Sequence, residues 1–381
     1  MESRNPVSDK HARAGILMTV ACLLGLTLTV LAVVFDRSGA FGIDYDQFYS
    51  ASRLAGTGHL YDWELLRKLE KVEMPLGRLP VVVYGHKLLG SLPFPVARAI
   101  WMAGNIVAFL IFAAIWPGAH PRLILLYLAS SMFMGAVLLY GQDVGFLAMF
   151  FAAGLWLMEK KRPWSAGVAF ALCICKFHLA TGIPVMLLAQ KRWRALAGGG
   201  IAVSALLAAC FSIEGPQWPL QYWKMVKPPA MAGGLERMPN LHGLACWLPW
   251  ASAAEILGVA GIVWLLWRAC RRNPDPGTAG AAAAACGVLL AIHSWAGDCS
   301  MMIPLAVMTI RRASTPRWLR FWAWALVSPL PLLLLISQMP FLGQILIVGF
   351  VASAVYAIAP GPAPTLVRRT EPLPTSALTG T

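Results

Sequence analysis

Apolar runs follow one another along almost the whole of this chain, roughly at 16–35, 97–116, 121–139, 144–158, 164–175, 178–189, 196–213, 251–267, 279–292, 299–310, 319–337 and 341–358. A helix that crosses the bilayer core needs about 20 mostly apolar residues. Inside lipid every backbone N–H and C=O must find its partner within the protein, so such a chain folds as packed helices. Only 13% of the residues are charged, about half the share of a soluble domain. The expected fold is all-α: a polytopic helical bundle with about 12 transmembrane helices. A cytoplasmic tail is expected over 1–15, an integral membrane domain over 16–358 and a disordered cytoplasmic tail over 359–381. No small-residue cleavage site follows the run Ile16–Phe35, so it reads as an uncleaved first span. The short run 79–92 carries His86 and Lys87 and reads as a re-entrant segment. The runs 164–175, 178–189 and 299–310 fall short of a normal span; tilt or broken helices account for them.

The net charge of +14 raises the question of nucleic acid, and the positions of the charges answer it. The basic turns are Lys160-Lys161-Arg162, Lys191-Arg192-Arg194, Arg268-Arg271-Arg272, Arg311-Arg312-Arg317-Arg320 and Arg368-Arg369. With the N-terminus inside and 79–92 re-entrant, all of them fall on the cytoplasmic side, as the positive-inside rule requires. With Arg4, Lys10 and Arg13 of the N-terminal tail and Arg122 on the same side, their excess over the acids there accounts for the whole net charge, and no nucleic-acid partner is expected. The unusual sequence then collects in the outer loops, about 36–95 and 214–250. The first holds LYDWELLRKLEKVEM, where Tyr61, Leu65, Leu69 and Val72 recur at helical spacing, which predicts a helix lying in the membrane interface.

Five polar clusters map to the outer side: Asp44 with Asp46; Gln142 and Asp143 in LYGQDVGF; Lys176 and His178 in CICKFHLATGIP; Arg237, Asn240 and His242 in LERMPNLHGL; and His293 with Asp298 in AIHSWAGDCS. Each has an ordinary explanation. Asp46 would cap a helix starting near Gln47, and Gln142 and Asp143 would cap the next one. Lys176, at the apex of an apolar hairpin, would snorkel to the interface. The histidines would be hydrogen-bonded interface residues. What argues for a site is that all five share one side. Carboxylates, a Lys, an Arg and histidines at an outer membrane surface suit an anionic, lipid-linked substrate: the cations neutralise a phosphate, and a carboxylate takes the proton of a hydroxyl nucleophile. The chain has no Walker loop and no dinucleotide fingerprint. Its cysteines lie mostly within apolar runs without metal-ligand spacing, so no cofactor is expected. A membrane transporter or flippase for a lipid-linked or small anionic substrate is the alternative. It would usually show an internal repeat and a midplane site.

DYDQFYSASRL followed by TGHLYD resembles the first-loop pattern of glycosyltransferase family 87, through Asp44, Tyr45, Phe48, Tyr49, Ala51, Arg53, Leu60 and Tyr61. LPVVVYGHKLLGSLPFPVARAIW is similar to the family's Pro-containing segment, although Arg78-Leu79-Pro80 stands where the family usually has Tyr-Pro-Pro. Gly141-Gln142-Asp143 looks like its Gly-Gln turn, and Lys176 with Lys191-Arg192-Trp193-Arg194 looks like its lysine helix and basic-Trp turn. The resemblance covers roughly residues 40–300. It implies a GT-C fold and an inverting hexosyltransferase (EC 2.4.1-type) in the bacterial inner membrane with its site facing outward. The implied partners are a polyprenyl-phosphate mannose-like donor, a lipid or glycan acceptor and membrane lipids. It places the base on Asp44, with Asp46 in reserve, and leaves a divalent metal open. Tyr49, Arg53, Gln142, Lys176, His178, Arg237, His242 and His293 are then the expected substrate-binding residues.

Overall fold

The structure, a computed structural model, describes residues 43–69, 76–226 and 234–358. The expected first span and both tails lie outside these residues. All regular structure within them is helical: α1 (Ile43–Leu54), α2 (Trp63–Leu69), α3 (Pro80–Gly85), α4 (Lys87–Gly90), α5 (Phe94–Ile115), α6 (Pro121–Ser130), α7 (Phe133–Tyr140), α8 (Val144–Glu159), α9 (Pro163–Ala171), α10 (Gly182–Ala189), α11 (Trp193–Glu214), α12 (Trp218–Val226), α13 (Leu241–Ala245), α14 (Ala251–Arg272), α15 (Pro276–Leu290), α16 (Ile303–Arg311), α17 (Arg317–Val327), α18 (Leu330–Ile336) and α19 (Pro340–Ile358). Short 3₁₀ stretches cover Leu172–Thr181, Leu235–Arg237 and Ala296–Met302.

Helices α5, α11, α14 and α19 are long and apolar enough to cross a bilayer. The pairs α6–α7 and α17–α18 reach that length together but bend by 68° and 61°. α8 and α15 are apolar but shorter. The described residues thus hold fewer full-length spans than the dozen apolar runs suggest, because several runs break partway. α3 and α4, from the run 79–92, have six and four residues and cannot cross the core.

The stretch Pro163–Ala189 matches a span in length, with 27 residues, yet it folds back on itself. A Cβ on Gly167 would strike the Ala195 carbonyl and the Gly199 amide, and one on Gly198 would strike Trp164, so the start of α9 lies against the start of α11. The Arg192 amide donates to the Leu187 carbonyl (2.8 Å), which ties the end of α10 to the same place. A straight helix would hold positions 167 and 187 about 30 Å apart. The chain reverses near Lys176, whose φ of −140° and ψ of 60° are not helical. The two limbs are the two short apolar runs of the sequence, and Lys176 sits at their apex.

This reversal gives the bundle two chemically different ends. Gln190 Nε2 donates to the Asn273 carbonyl (2.7 Å) and Asn273 Nδ2 to the Ile358 carbonyl (2.7 Å). A Cβ on Gly277 would meet Pro117. The basic turns at 160–162, 191–194, 268–272 and 311–320 therefore gather at one end. Gly141–Asp143, Lys176 and residues 291–298 lie at the other. Between them runs α15, in which every residue from Ala279 to Leu289 is buried. Its Ala and Gly side chains let neighbouring backbones approach closely: Gly182 abuts the Ala283 carbonyl, Gly287 the Leu179 carbonyl and Gly280 the Leu155 side chain.

One local expectation needs correcting. α1 begins at Ile43, so Asp44 and Asp46 lie in its first turn, where acids favour the helix dipole, and Asp46 is not a cap before Gln47. α2 buries Leu66 in the protein and leaves Leu65 half-buried and Leu69 exposed; Tyr61 is buried, and Val72 lies outside the described residues. Leu66 joins Leu60, Leu76, Val83 and Trp218 in a small separate core.

Gly167→Ala and Gly182→Ala each push a methyl group into backbone that cannot move aside. Each is expected to destabilise the protein by about 1–3 kcal/mol or more. Gly200→Ala, inside α11 and with nothing within 4 Å of its Cβ, is the control, expected to be neutral or slightly stabilising. Thermal unfolding in detergent checks all three.

Candidate active site

The tight turn between α7 and α8 is the seat of the site. Gly141 has φ 73°, a left-handed conformation that suits glycine, and a Cβ there would press on Tyr45 Cβ at 2.6 Å. α1 therefore docks directly on this turn. The Tyr45 ring stacks on Trp101 (5.8 Å between centroids), and Trp101 Nε1 donates to the Gly141 carbonyl (2.8 Å). Asn105 Oδ1 accepts the Gly145 amide (3.2 Å), fixing the start of α8. These contacts bring Asp44, at the start of α1, beside Gln142, whose side chain hydrogen-bonds its carboxyl.

Next to them is an alternating ladder of charges. Arg78 donates from Nε to Asp143 Oδ2 (2.9 Å) and from Nη2 to Asp143 Oδ1 (3.0 Å), a two-pronged pairing. The Lys176 ammonium lies 4.0 Å from Asp143 Oδ1 and donates to Asp298 Oδ1. The other oxygen of Asp298 accepts the Trp295 amide (2.8 Å). Phe48 lies beneath the Arg78 guanidinium, 5.2 Å from ring centroid to carbon. Asp143, Lys176 and Asp298 are all buried. The His178 and His293 rings meet edge to face at 6.4 Å near the Lys176 apex, and His178 Nε2 is buried without a hydrogen-bond partner among the described residues.

The three carboxylates differ in electrostatics. Burial pushes Asp143 up, but Arg78 and Lys176 beside it outweigh that and hold it below the ordinary value. Removal from water raises Asp44 above 3.8; Gln142, Lys176 and Arg78 oppose this only in part, and the Asp143 charge adds to it. Among the described residues Asp44 has no cation paired with it. Burial lowers His293 to about 4, against the pull of Asp298 and with the help of Lys176 and Arg78. At neutral pH its imidazole is uncharged. No three His, Cys, Asp or Glu side chains gather as a metal-ligand set among the described residues.

Of the residues singled out in the sequence, Asp44, Gln142, Lys176, His178 and His293 come together here. The others lie elsewhere. Tyr49 donates to the Leu92 carbonyl (2.7 Å) and accepts from Arg53 (2.9 Å), so this pair fastens α1 to the loop before α5. Arg237 is exposed on its 3₁₀ turn, and His242 is hydrogen-bonded to Glu255 (2.9 Å). Asp46 is buried at 6% exposure, about 200° around the helix from Asp44. Three members of the ladder were not among the expected site residues: Arg78, Asp143 and Asp298. Their signal in the sequence was weak. Asp143 and Asp298 read as residues at span ends, and Arg78 as a departure from Tyr-Pro-Pro.

The model of the family described as glycosyltransferase family 87 matches residues 80–294, more than half of the chain. The match includes Gln142, Asp143, Lys176, His178 and His293. It begins after Asp44 and Arg78 and ends before Asp298. No curated protein and no solved structure matches the chain.

Asp143→Asn leaves the Arg78 guanidinium without its counter-charge and is expected to destabilise the protein by about 3–5 kcal/mol. The double variant Arg78→Gln/Asp143→Asn is expected to lose less than the sum of the two single losses; a double-mutant cycle of unfolding free energies measures the difference. Because the folded pKa of Asp143 lies below its unfolded value, this contribution is complete above the ordinary carboxylate range and is lost as pH falls through the folded value.

Proposed function

The chain belongs to glycosyltransferase family 87, and on that premise we propose that it moves a mannose-like sugar from a polyprenyl phosphate to a hydroxyl of a lipid or glycan acceptor, with inversion at the sugar carbon. One observation carries the reading: of the three carboxylates at the site, Asp44 alone lacks a paired cation among the described residues, and its surroundings raise its pKa. A base is most useful when its pKa approaches the working pH. Asp44 takes the proton of the acceptor hydroxyl as that oxygen forms its bond to the sugar C1. The bond from C1 to the phosphate oxygen breaks, and its electron pair leaves with the phosphate. Arg78 and Lys176 keep N–H groups beyond those spent on Asp143 and Asp298, and these stabilise the charge gathering on the leaving phosphate. The neutral His178 and His293 face the sugar or phosphate oxygens. Asp46 is the positional alternative for the base.

The prenyl chain has a place beside this chemistry. An apolar cavity of about 560 Å³ lies between the limbs of the hairpin and α11, lined by Leu79, Ile174, Phe177, Pro184 and Val203 among others. Leu79 follows Arg78, and Phe177 follows Lys176, so cavity and charges adjoin. The collection of basic turns at the far end supports a cytoplasmic position for that end. The site then faces outward across a bacterial plasma membrane, where lipid-linked donors serve in place of nucleotide sugars.

Purified protein incubated with labelled polyprenyl-phosphate mannose and membrane-lipid acceptors tests the proposal. Asp44→Asn is expected to lower transfer by about 10²–10⁴, with Asp46→Asn close to wild type and both folded. A dead Asp46→Asn beside an active Asp44→Asn moves the base by two residues. A wild type that carries the labelled lipid across vesicles unchanged overturns transfer in favour of a flippase. The pH profile supplies a second check. Protonated Asp44 cannot accept a proton, so kcat/KM is expected to fall on the acid side, with a midpoint above 3.8.

A further inference from the structure

At the basic end of the bundle, far from the charged ladder, a cavity of about 1410 Å³ opens between α14, α16, α17 and α19. Its wall is apolar, with Leu265, Val307, Leu319 and Ile358. Its polar side carries Arg311 and Arg312, and the lining aromatics Trp318 and Tyr356 are more than half exposed (56% and 57%). Asp275 is the one acid on the lining among the described residues, and its carboxylate is engaged by the Thr278 amide (2.7 Å). Arg312 spends Nε on Ser314 Oγ (3.1 Å), which leaves its two terminal nitrogens for a ligand. Trp318 and Leu319 lie in the first turn of α17, where backbone N–H groups have no partner within the helix and the dipole favours an anion. Asn273 Nδ2 donates to the Ala269 and Ile358 carbonyls (2.9 and 2.7 Å), covering the negative ends of α14 and α19 at the same cavity.

An apolar wall under two cations, edged by Trp and Tyr, matches a molecule with an anionic head and a hydrocarbon tail. Trp and Tyr favour the headgroup level of a bilayer, and basic pockets between membrane helices suit anionic headgroups. We propose that this cavity binds one anionic glycerophospholipid of the surrounding membrane. Its phosphate sits on Arg311, Arg312 and the start of α17, and an acyl chain lies along the apolar wall. The assignment is independent of the transferase chemistry at the opposite end.

The full chain, purified in detergent, is titrated with phosphatidylglycerol or phosphatidylcholine, and retained lipid is counted by native mass spectrometry. Wild type is expected to keep one phosphatidylglycerol at concentrations where phosphatidylcholine is lost. Arg311→Gln/Arg312→Gln is expected to weaken retention about tenfold or more. Ala352→Trp, which obstructs the cavity with both charges intact, is expected to do the same, so the site remains testable if one variant fails to fold. Lys160→Gln/Lys161→Gln removes equal charge elsewhere on the same end and is expected to keep wild-type retention. Equal binding of the two lipids overturns the proposal. So does equal loss in the Lys160/Lys161 control, which means a diffuse surface field. So does a wild type that retains no phosphatidylglycerol, as when another part of the chain or a second copy fills the cavity.

Discussion

The organisation of this protein depends on burying charge in pairs. The order Arg78, Asp143, Lys176, Asp298 alternates in sign, and each member comes from a different part of the chain. An isolated charge at such a place in a membrane protein is costly, and removing one partner of a buried pair is worse than never having had it. The ladder therefore works as a registry. The loop before α3, the turn before α8, the hairpin apex and the 3₁₀ turn after α15 must all arrive for the whole ladder to be satisfied. Asp44 stands next to this registry without a paired cation among the described residues.

The helices supply the frame that makes such registry possible. α15 contributes few large side chains, so the backbones of α8, α10 and the 3₁₀ stretch around Lys176 approach it closely. Close packing of backbones leaves little slack, and the apex of the hairpin is held at a fixed height relative to Asp143 and Asp298. The same packing sends the basic turns to the far end, where they leave the site's net electrostatics to its own residues.

Much of this was legible in the sequence because polar residues in an apolar chain need a reason. Lys176 stood between two runs too short to span and marked the reversal. Gln142, His178 and His293 were singled out in the same way, and the fold brings them near the lysine. Arg78, Asp143 and Asp298 were not assigned roles because their partners lie 65 and 122 residues away, and pairing over such distances leaves no periodic trace. Asp143 looked like a cap and is instead held by Arg78. Tyr49 and Arg53 carry the family pattern yet bond to each other, since a motif records what a segment needs to dock as well as what it does. The core contact of α2 through Leu66 had no periodic signal, because Leu65 and Leu66 are both apolar and only the tertiary core chooses between them.

The hairpin also bears on how the chain is made. Lys176 emerges from the ribosome 122 residues ahead of Asp298, whereas Asp143 has already been synthesised. Neither limb is long enough to span a bilayer alone, and the ammonium sits where they meet. During that interval Asp143 is the only ladder carboxylate already available to the lysine, although the finished protein holds it at the longer distance of 4.0 Å. The ladder thus has an order along the chain as well as an arrangement: Arg78, Asp143 and Lys176 are all made before Asp298, which holds the closer contact to the lysine in the folded protein.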